Sequence, residues 1–186
     1  MNIFYLHTET RLCAEWHVDK HTVKMILEYS QLLSTAHRLL DGTMSIGKSK
    51  TGRNVKRWIL SDDRDSIIYN ATHINHPSAI WTRESIHNYT WLHNLLNDLC
   101  IEYTHRYGKI HKVESSGLLT KLKTPPKNIS TVKTFTEPPP AMPDQYKVSN
   151  DSAASYRNYY IGAKNRFAKW KNRSVPPWYD TSKLAS

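Results

Sequence analysis

The sequence is short of acid, cysteine, glycine and long apolar runs. Of 186 residues only 16 are Asp or Glu, against 26 Lys or Arg, a formal charge of +10. That balance suits a polyanion partner better than a small neutral substrate, with nucleic acid first: DNA, RNA or a nucleotide. Two cysteines, Cys13 and Cys100, both in apolar helical patterns and with no Cys-x-x-Cys pair, argue against a disulfide scaffold or a zinc knuckle. Two buried thiols are expected instead. No apolar run reaches the roughly 18 residues of a membrane helix, and MNIFYLHTETR lacks the basic-then-apolar order of a signal peptide. A cytoplasmic protein with no membrane partner is expected. The length suits a single domain, 1–186, and a monomer rather than an oligomer is expected.

What the sequence has is helical periodicity. Trp16, Val23, Leu27, Leu33, Ala36 and Leu40 recur at three, four or seven, which predicts one long amphipathic helix over 13–40 closed by Gly42. Ile86, Tyr89, Leu92, Leu95, Leu96, Leu99 and Tyr103 make a second stripe, with Pro77 suited to a helix start and Gly108 to its end. Asn150, Asp151 or Ser152 can cap a third helix, carrying Tyr156, Tyr160, Ala163, Phe167 and Trp170. Ser61 or Asp62 can cap a short helix through Tyr69. The stretch GTMSIGKSKTGRN reads as a flexible basic loop, and five prolines in 125–140 read as an ordered irregular wrap. MNIFYL is apolar enough to pack on the core and hold the chain's start. The fold class expected is mainly α: three long helices joined by Pro-rich irregular loops.

The polar stripe of the first predicted helix carries His17, Lys20, His21, Lys24 and Glu28. Imidazoles, ammonium groups and a carboxylate crowded together shift one another's pKa, which is how acid, base or nucleophile is made near neutral pH. A merely solvated face is the competing reading. His-Val-Asp-Lys-His sets two imidazoles four apart, as metal helices do, yet it lacks the glutamate of His-Glu-x-x-His, and Lys20 and Lys24 repel a cation. No metal or cofactor is expected. From Tyr156 to Arg173 there is no acid. Arg157, Lys164, Arg166, Lys169, Lys171 and Arg173 alternate with Tyr159 and Trp170 and, beyond them, Trp178 and Tyr179. Cations that neutralise phosphates interleaved with rings that stack on bases make a candidate nucleic-acid surface. His76, displayed ahead of Pro77, and Arg83, able to hold a phosphate or pair with Glu84, join the candidates.

Several landmarks stand in order: the helix from Cys13, Asn75-His76-Pro77, the helix end from Glu102 to Gly108, Met142-Pro143-Asp144-Gln145-Tyr146, the third helix and Pro177-Trp178-Tyr179. Their order resembles the pyrimidine-dimer DNA glycosylases of the phage endonuclease V family. The resemblance implies a DNA N-glycosylase with abasic-site lyase activity, in which the N-terminal α-amine attacks C1′ of a flipped nucleotide and a helix glutamate assists. An unperturbed α-amine, with a pKa of about 7.7 to 8.0, has a useful neutral fraction. Carried onto this chain, the glutamate is Glu28, with Glu15 and Asp19 behind it. Asn2 would leave Met1 in place, so the amine is that of Met1 or, failing it, the Nζ of Lys24. The candidate catalytic set is therefore Met1, Asn2, His17, His21, Lys24 and Glu28, with Lys20 beside it for DNA. The resemblance also implies a phage protein acting in an infected bacterial cytoplasm. A non-catalytic nucleic-acid-binding module and an enzyme of modified nucleotides are the alternatives.

Overall fold

Two helices of more than twenty residues carry the frame in the computed structural model, which describes residues 1–49 and 51–183. The 23-residue α2 (Asp19–Asp41) and the 22-residue α5 (Ile86–Tyr107) pack together, α2 burying Met25, Ile26, Tyr29, Leu32 and Leu33 and α5 burying Tyr89, Leu92, Leu95, Leu96 and Leu99. Burying one such side chain is worth about 1.5–3 kcal/mol, so this contact outweighs any single polar contact described below. Around the pair stand α1 (Thr10–Glu15), α3 (Arg64–Ile67), α4 (Pro77–Glu84), α6 (Lys112–Ser115), α7 (Leu118–Lys121) and α8 (Ser152–Ala163), so the chain is mainly helical. An antiparallel ribbon of β1 (Thr43–Lys48) and β2 (Asn54–Ile59) runs in register from Thr43 opposite Ile59 to Lys48 opposite Asn54. No helix among the described residues is long and apolar enough to cross a membrane.

Helix ends follow local chemistry. Pro77 occupies the first turn of α4, and His76 caps it by accepting the Ser78 N–H at Nδ1, 3.1 Å. Gly108 ends α5 at φ 63°, a conformation that costs glycine little. Asp151 caps α8 by accepting the Ala154 N–H at 2.8 Å.

The opening residues are held as their apolar character predicts. Ile3, Phe4, Tyr5 and Leu6 are buried. The Phe4 N–H donates to the Tyr29 hydroxyl (3.1 Å), Asn2 Nδ2 to the Ala141 carbonyl (2.7 Å) and Arg157 Nε to the Leu6 carbonyl (3.0 Å). Cys13 and Cys100 are free, buried thiols, as expected.

Four elements differ from the sequence expectation. The helix over 13–40 is two helices: α1 stops at Glu15, Val18 is extended at φ −64° and ψ 154°, and α2 begins at Asp19. Three carbonyls freed at the break are taken by remote side chains: Glu15 and His17 by Arg106 (2.8 and 2.9 Å) and Trp16 by the Trp170 indole (2.9 Å). Restarting at Asp19 resets the phase, so Val23 and Leu27 are each 42 % exposed while His17 and His21 face the core. The second stripe also breaks, at Ser85, whose hydroxyl caps α5 through the Asn88 N–H. The third helix stops at Ala163 after 12 residues, which leaves two long helices rather than three. Phe167 closes a single 3-10 turn, and Lys169 follows with its carbonyl accepting the Asp19 N–H at 2.8 Å, one of the donors that a helix start leaves unpaired. Finally, the basic loop after Gly42 is the β1–β2 ribbon.

Candidate functional site

On the exposed face of α2, Glu28 has an amine at each carboxylate oxygen. Its Oε2 lies 3.9 Å from the α-amine of Met1 and its Oε1 lies 3.0 Å from Lys24 Nζ. The Lys24 contact follows from i,i+4 spacing. The Met1 contact does not: it depends on the buried stretch Ile3–Leu6 and on Asn2 gripping the Pro-rich wrap at Ala141. The side chains of Met1 and Glu28 are 5 % and 15 % exposed, whereas Lys24 at 66 % is free to move.

His76 belongs to the same neighbourhood. Burial lowers its pKa, the α-amine of Met1 and His73 lower it further, and Glu28 opposes them. Because Nδ1 accepts from the Ser78 N–H, the neutral ring carries its proton on Nε2. The turn that presents it is strained: His73 sits at φ 48°, and the His76 N–H donates to the His73 carbonyl at 2.8 Å. Such outliers persist where surrounding contacts enforce them. Arg83 does so here through Nη1 to the Ile74 carbonyl at 2.8 Å. Arg83 therefore braces the turn and forms no ion pair with Glu84.

Beside Glu28 opens a cleft of about 500 Å³ lined by Val23, Lys24, Leu27, Gln31, Tyr69, His111, Lys112 and Val113. Clefts of about 300–1,000 Å³ with apolar walls and a few polar groups are the usual form of small-ligand sites. Here Val23, Leu27 and Tyr69 offer apolar faces, Gln31 an amide, and Lys24 and Lys112 cations. Gln31, Tyr69, His111 and Lys112 have no local signature in the sequence, and the helical spacing of Val23 and Leu27 predicts core positions for them instead. A second hollow, of about 560 Å³, lies against Arg64 and Lys121. Two of its cations are met internally, Arg64 by Asp41 (2.6 Å) and Asp62 (2.8 Å) and Lys121 by Asp63 (2.6 Å), while Lys127 stands exposed at its edge.

His17 and His21, expected beside Lys24 and Glu28, are not in this site. His17 is fully buried, Nδ1 against the Cys13 carbonyl (2.7 Å) and Nε2 against the Tyr29 hydroxyl (2.9 Å). His21 is bonded at Nδ1 to the Tyr160 hydroxyl (2.7 Å). The restart of α2 at Asp19 is the physical reason, since it turns His21 inward and leaves His17 ahead of the helix.

The basic tail divides in two. Lys20 and Arg166 approach the Phe167 ring (4.8 and 5.8 Å), Lys164 the Tyr159 ring (4.4 Å) and Lys171 the Tyr107 ring (5.3 Å), with Lys169 exposed between them. Ion pairs among the described residues draw on other cations, namely Arg11, Lys24, Arg38, Arg64, Arg106, Lys121, Lys147 and Arg173. The patch is therefore uncompensated, and Lys20 stands one turn of α2 from Lys24. Arg157, Trp178 and Tyr179, by contrast, turn inward. Arg157 lies over the rings of Trp16 (5.2 Å) and Trp178 (5.7 Å), and Tyr179 is buried against Trp170. They hold the tail to the body, because an irregular segment lacking its own helix needs side-chain anchors. Arg173 does likewise through Glu102 (2.8 Å) and Glu15 (3.5 Å).

Among the described residues no three His, Cys, Asp or Glu side chains converge as a metal site. Comparison with models of protein families, with curated proteins and with solved structures gives no match.

Proposed function

We propose that this protein is a DNA-directed enzyme acting on a base turned out of the duplex, an N-glycosylase with accompanying abasic-site lyase activity. The observation that carries the reading is the pairing of the Met1 α-amine with Glu28 at 3.9 Å, on the rim of the cleft described above. In this reading the neutral amine attacks C1′ of the extruded nucleotide. The C1′–N bond breaks, the base departs with its electron pair and takes up a proton, and the amine passes a proton to Glu28 as the sugar opens to an imine. Glu28, as a carboxylate, also offsets positive charge developing on the sugar. Hydrolysis of the imine returns the amine, and β-elimination from it cuts the strand. Val23, Leu27 and Tyr69 flank the base, and the uncompensated lysines hold the backbone.

The test is reductive trapping. Duplexes carrying uracil, a pyrimidine dimer or an abasic site are incubated with the protein and borohydride, and a covalent protein–DNA adduct is expected. Acetylating the α-amine should abolish the adduct, and Glu28→Gln should cut its rate roughly 10²–10⁴-fold, the usual share of a positioned acid or base. Loss of the adduct in Lys24→Met with the α-amine intact would move the nucleophile to Lys24. Normal DNA binding with no adduct on any substrate would overturn the enzyme in favour of a nucleic-acid-binding module, the reading that the unpaired cations support by themselves.

A further inference from the structure

We infer that the β1–β2 ribbon is a separate DNA-contacting element, built to lie in the major groove of a B-form duplex. From Gly42 to Leu60 the sequence carries five cations, Lys48, Lys50, Arg53, Lys56 and Arg57, and no acid. Lys50 lies outside the described residues. Of the others, Lys48, Arg53 and Lys56 are exposed and Arg57 is half-buried. The ion pairs named above include none of them. The register puts Met44, Ile46 and Lys48 on one face with Trp58, Lys56 and Asn54, and Arg57 on the opposite face with Ser45. Met44 and Ile46 are 51 % and 61 % exposed, and among the described residues the sheet has these two strands alone, with no third strand on either edge.

An isolated two-stranded hairpin is marginal in water, so a ribbon this exposed needs a rigid root. Arg38 supplies one. Its buried guanidinium donates to the carbonyls of Trp58 (3.0 Å), Ile68 (3.1 Å) and Tyr69 (3.1 Å) and pairs with Asp65, whose carboxylate also accepts the Leu60 N–H (2.9 Å). At Gly42 a Cβ would stand 2.5 Å from the Arg38 carbonyl and 3.1 Å from the Trp58 Cβ, so the close approach of ribbon to helix requires glycine. The ribbon's direction is therefore fixed by α2.

Charge and shape choose the partner. A cationic two-stranded ribbon about 5 Å between strands fits the roughly 12 Å major groove of B-DNA, whereas the deep, narrow major groove of A-form RNA does not admit it. Exposed apolar side chains among the cations suit thymine methyl groups. Glu28 precedes the end of α2 by thirteen residues. At about 1.5 Å per residue that is about 20 Å, or about six base pairs from the reacting nucleotide to the ribbon root. The inference shares its DNA partner with the proposed function but not its chemistry.

Two measurements test it. In the triple variant Lys48→Ala, Lys56→Ala, Arg57→Ala, fluorescence anisotropy on duplex DNA across salt should show weaker binding, with the slope of log K against log salt reduced by nearly three, at about 0.9 per phosphate. Binding to a duplex RNA of the same sequence should change little. In Met44→Cys, on the face shared with Ile46, Lys48 and Lys56 and in a protein whose native thiols are buried, an azidophenacyl group should crosslink to duplex DNA. An unchanged slope in a variant of normal circular dichroism and unfolding temperature, or no crosslink, would overturn the inference. So would an unchanged slope together with a protein partner lost on Ile46→Ser. Borohydride adducts at saturating DNA separate the two proposals: a triple variant that still traps but binds weakly supports the ribbon, and wild type that never traps while the slope falls removes only the chemistry.

Discussion

The imidazole of His21 stacks on the ring of Phe4, centroids 4.1 Å apart and planes 20° from parallel, while its Nδ1 bonds to Tyr160. One side chain thus ties α2 to the opening segment and to α8. Burial, with the charges of His17, Lys164 and Lys24, pushes its pKa down to about 2. Burial likewise holds His17 and His37 at about 4, in each case with an arginine nearby adding to the effect.

These three rings make stability depend on pH. Each is neutral in the fold, while the unfolded chain takes up its proton near pH 6.5, so the unfolded state binds more protons below that value. Stability is then whole above about pH 6.5 and falls as pH drops toward about 4, by up to about 1.4 kcal/mol per pH unit for each ring. Urea midpoints measured from pH 7.5 to 4.5 should decline over that window. A flat profile would contradict the buried neutral state.

Glu28→Gln and Lys24→Met should leave the fold almost untouched. Their ion pair lies at the surface, with Lys24 two-thirds exposed, and such pairs contribute about 0–1 kcal/mol. Unfolding midpoints should match wild type, so any loss of adduct reports on chemistry. A large fall in stability on Lys24→Met would show a structural role instead.

Arg106 behaves in the opposite way. It is fully buried and donates to Glu102 (2.6 Å), Asp19 (2.9 Å) and the carbonyls of His17 and Glu15. Burial works against the Glu102 carboxylate, yet hydrogen bonds from Arg173 and Arg106 keep its pKa below the ordinary range. Arg106→Met strands these acceptors and should cost about 3–5 kcal/mol, measured by chemical denaturation. Arg173→Ala, at a half-exposed site, should cost much less.

Leu27→Ser tests the cleft. At 42 % exposure the side chain contributes little to the core, so the unfolding midpoint should stay within about 0.5 kcal/mol of wild type. If the cleft seats a base, affinity for DNA bearing an abasic or mismatched position should fall, and Tyr69→Ala should weaken it further, by about 1–3 kcal/mol for a lost stacking face. Equal affinity in all three proteins would empty the cleft of that role.

The sequence was legible where structure is local. The periodicity through Leu92, Leu96 and Leu99, the stop at Gly108, the start at Pro77 and the cap at Asp151 all follow from neighbours within a turn or two. The break between α1 and α2 was not, because Arg106 and Trp170, about 90 and 150 residues away, satisfy the carbonyls it frees. Without them a continuous helix satisfies those groups better, and the apolar spacing of Val23 and Leu27 reads as core. That one error of phase exchanged the places of His21 and Leu27. The Glu28–Lys24 pair is legible because its spacing is local, whereas the contact of Met1 with Glu28 is not local and only the resemblance points to it. Tyr69 and Lys112 reach the cleft by tertiary packing that no short window contains. The ribbon is hard to read in sequence because turn-forming Gly, Ser and Lys residues outweigh the alternation of Met44, Ile46, Val55 and Trp58.

The anchoring of the chain's first residues sets an order of events during synthesis. Asn2 bonds to Ala141, Phe4 packs on Tyr156 and Tyr160, and Leu6 accepts from Arg157. These contacts join residues 139 and 151 positions apart, and contacts so far apart along the chain close slowly. Until Ala141 and α8 emerge, Asn2, Phe4 and Leu6 lack part of their partners, so a nascent chain stalled before α8 leaves apolar surface at this end open to aggregation.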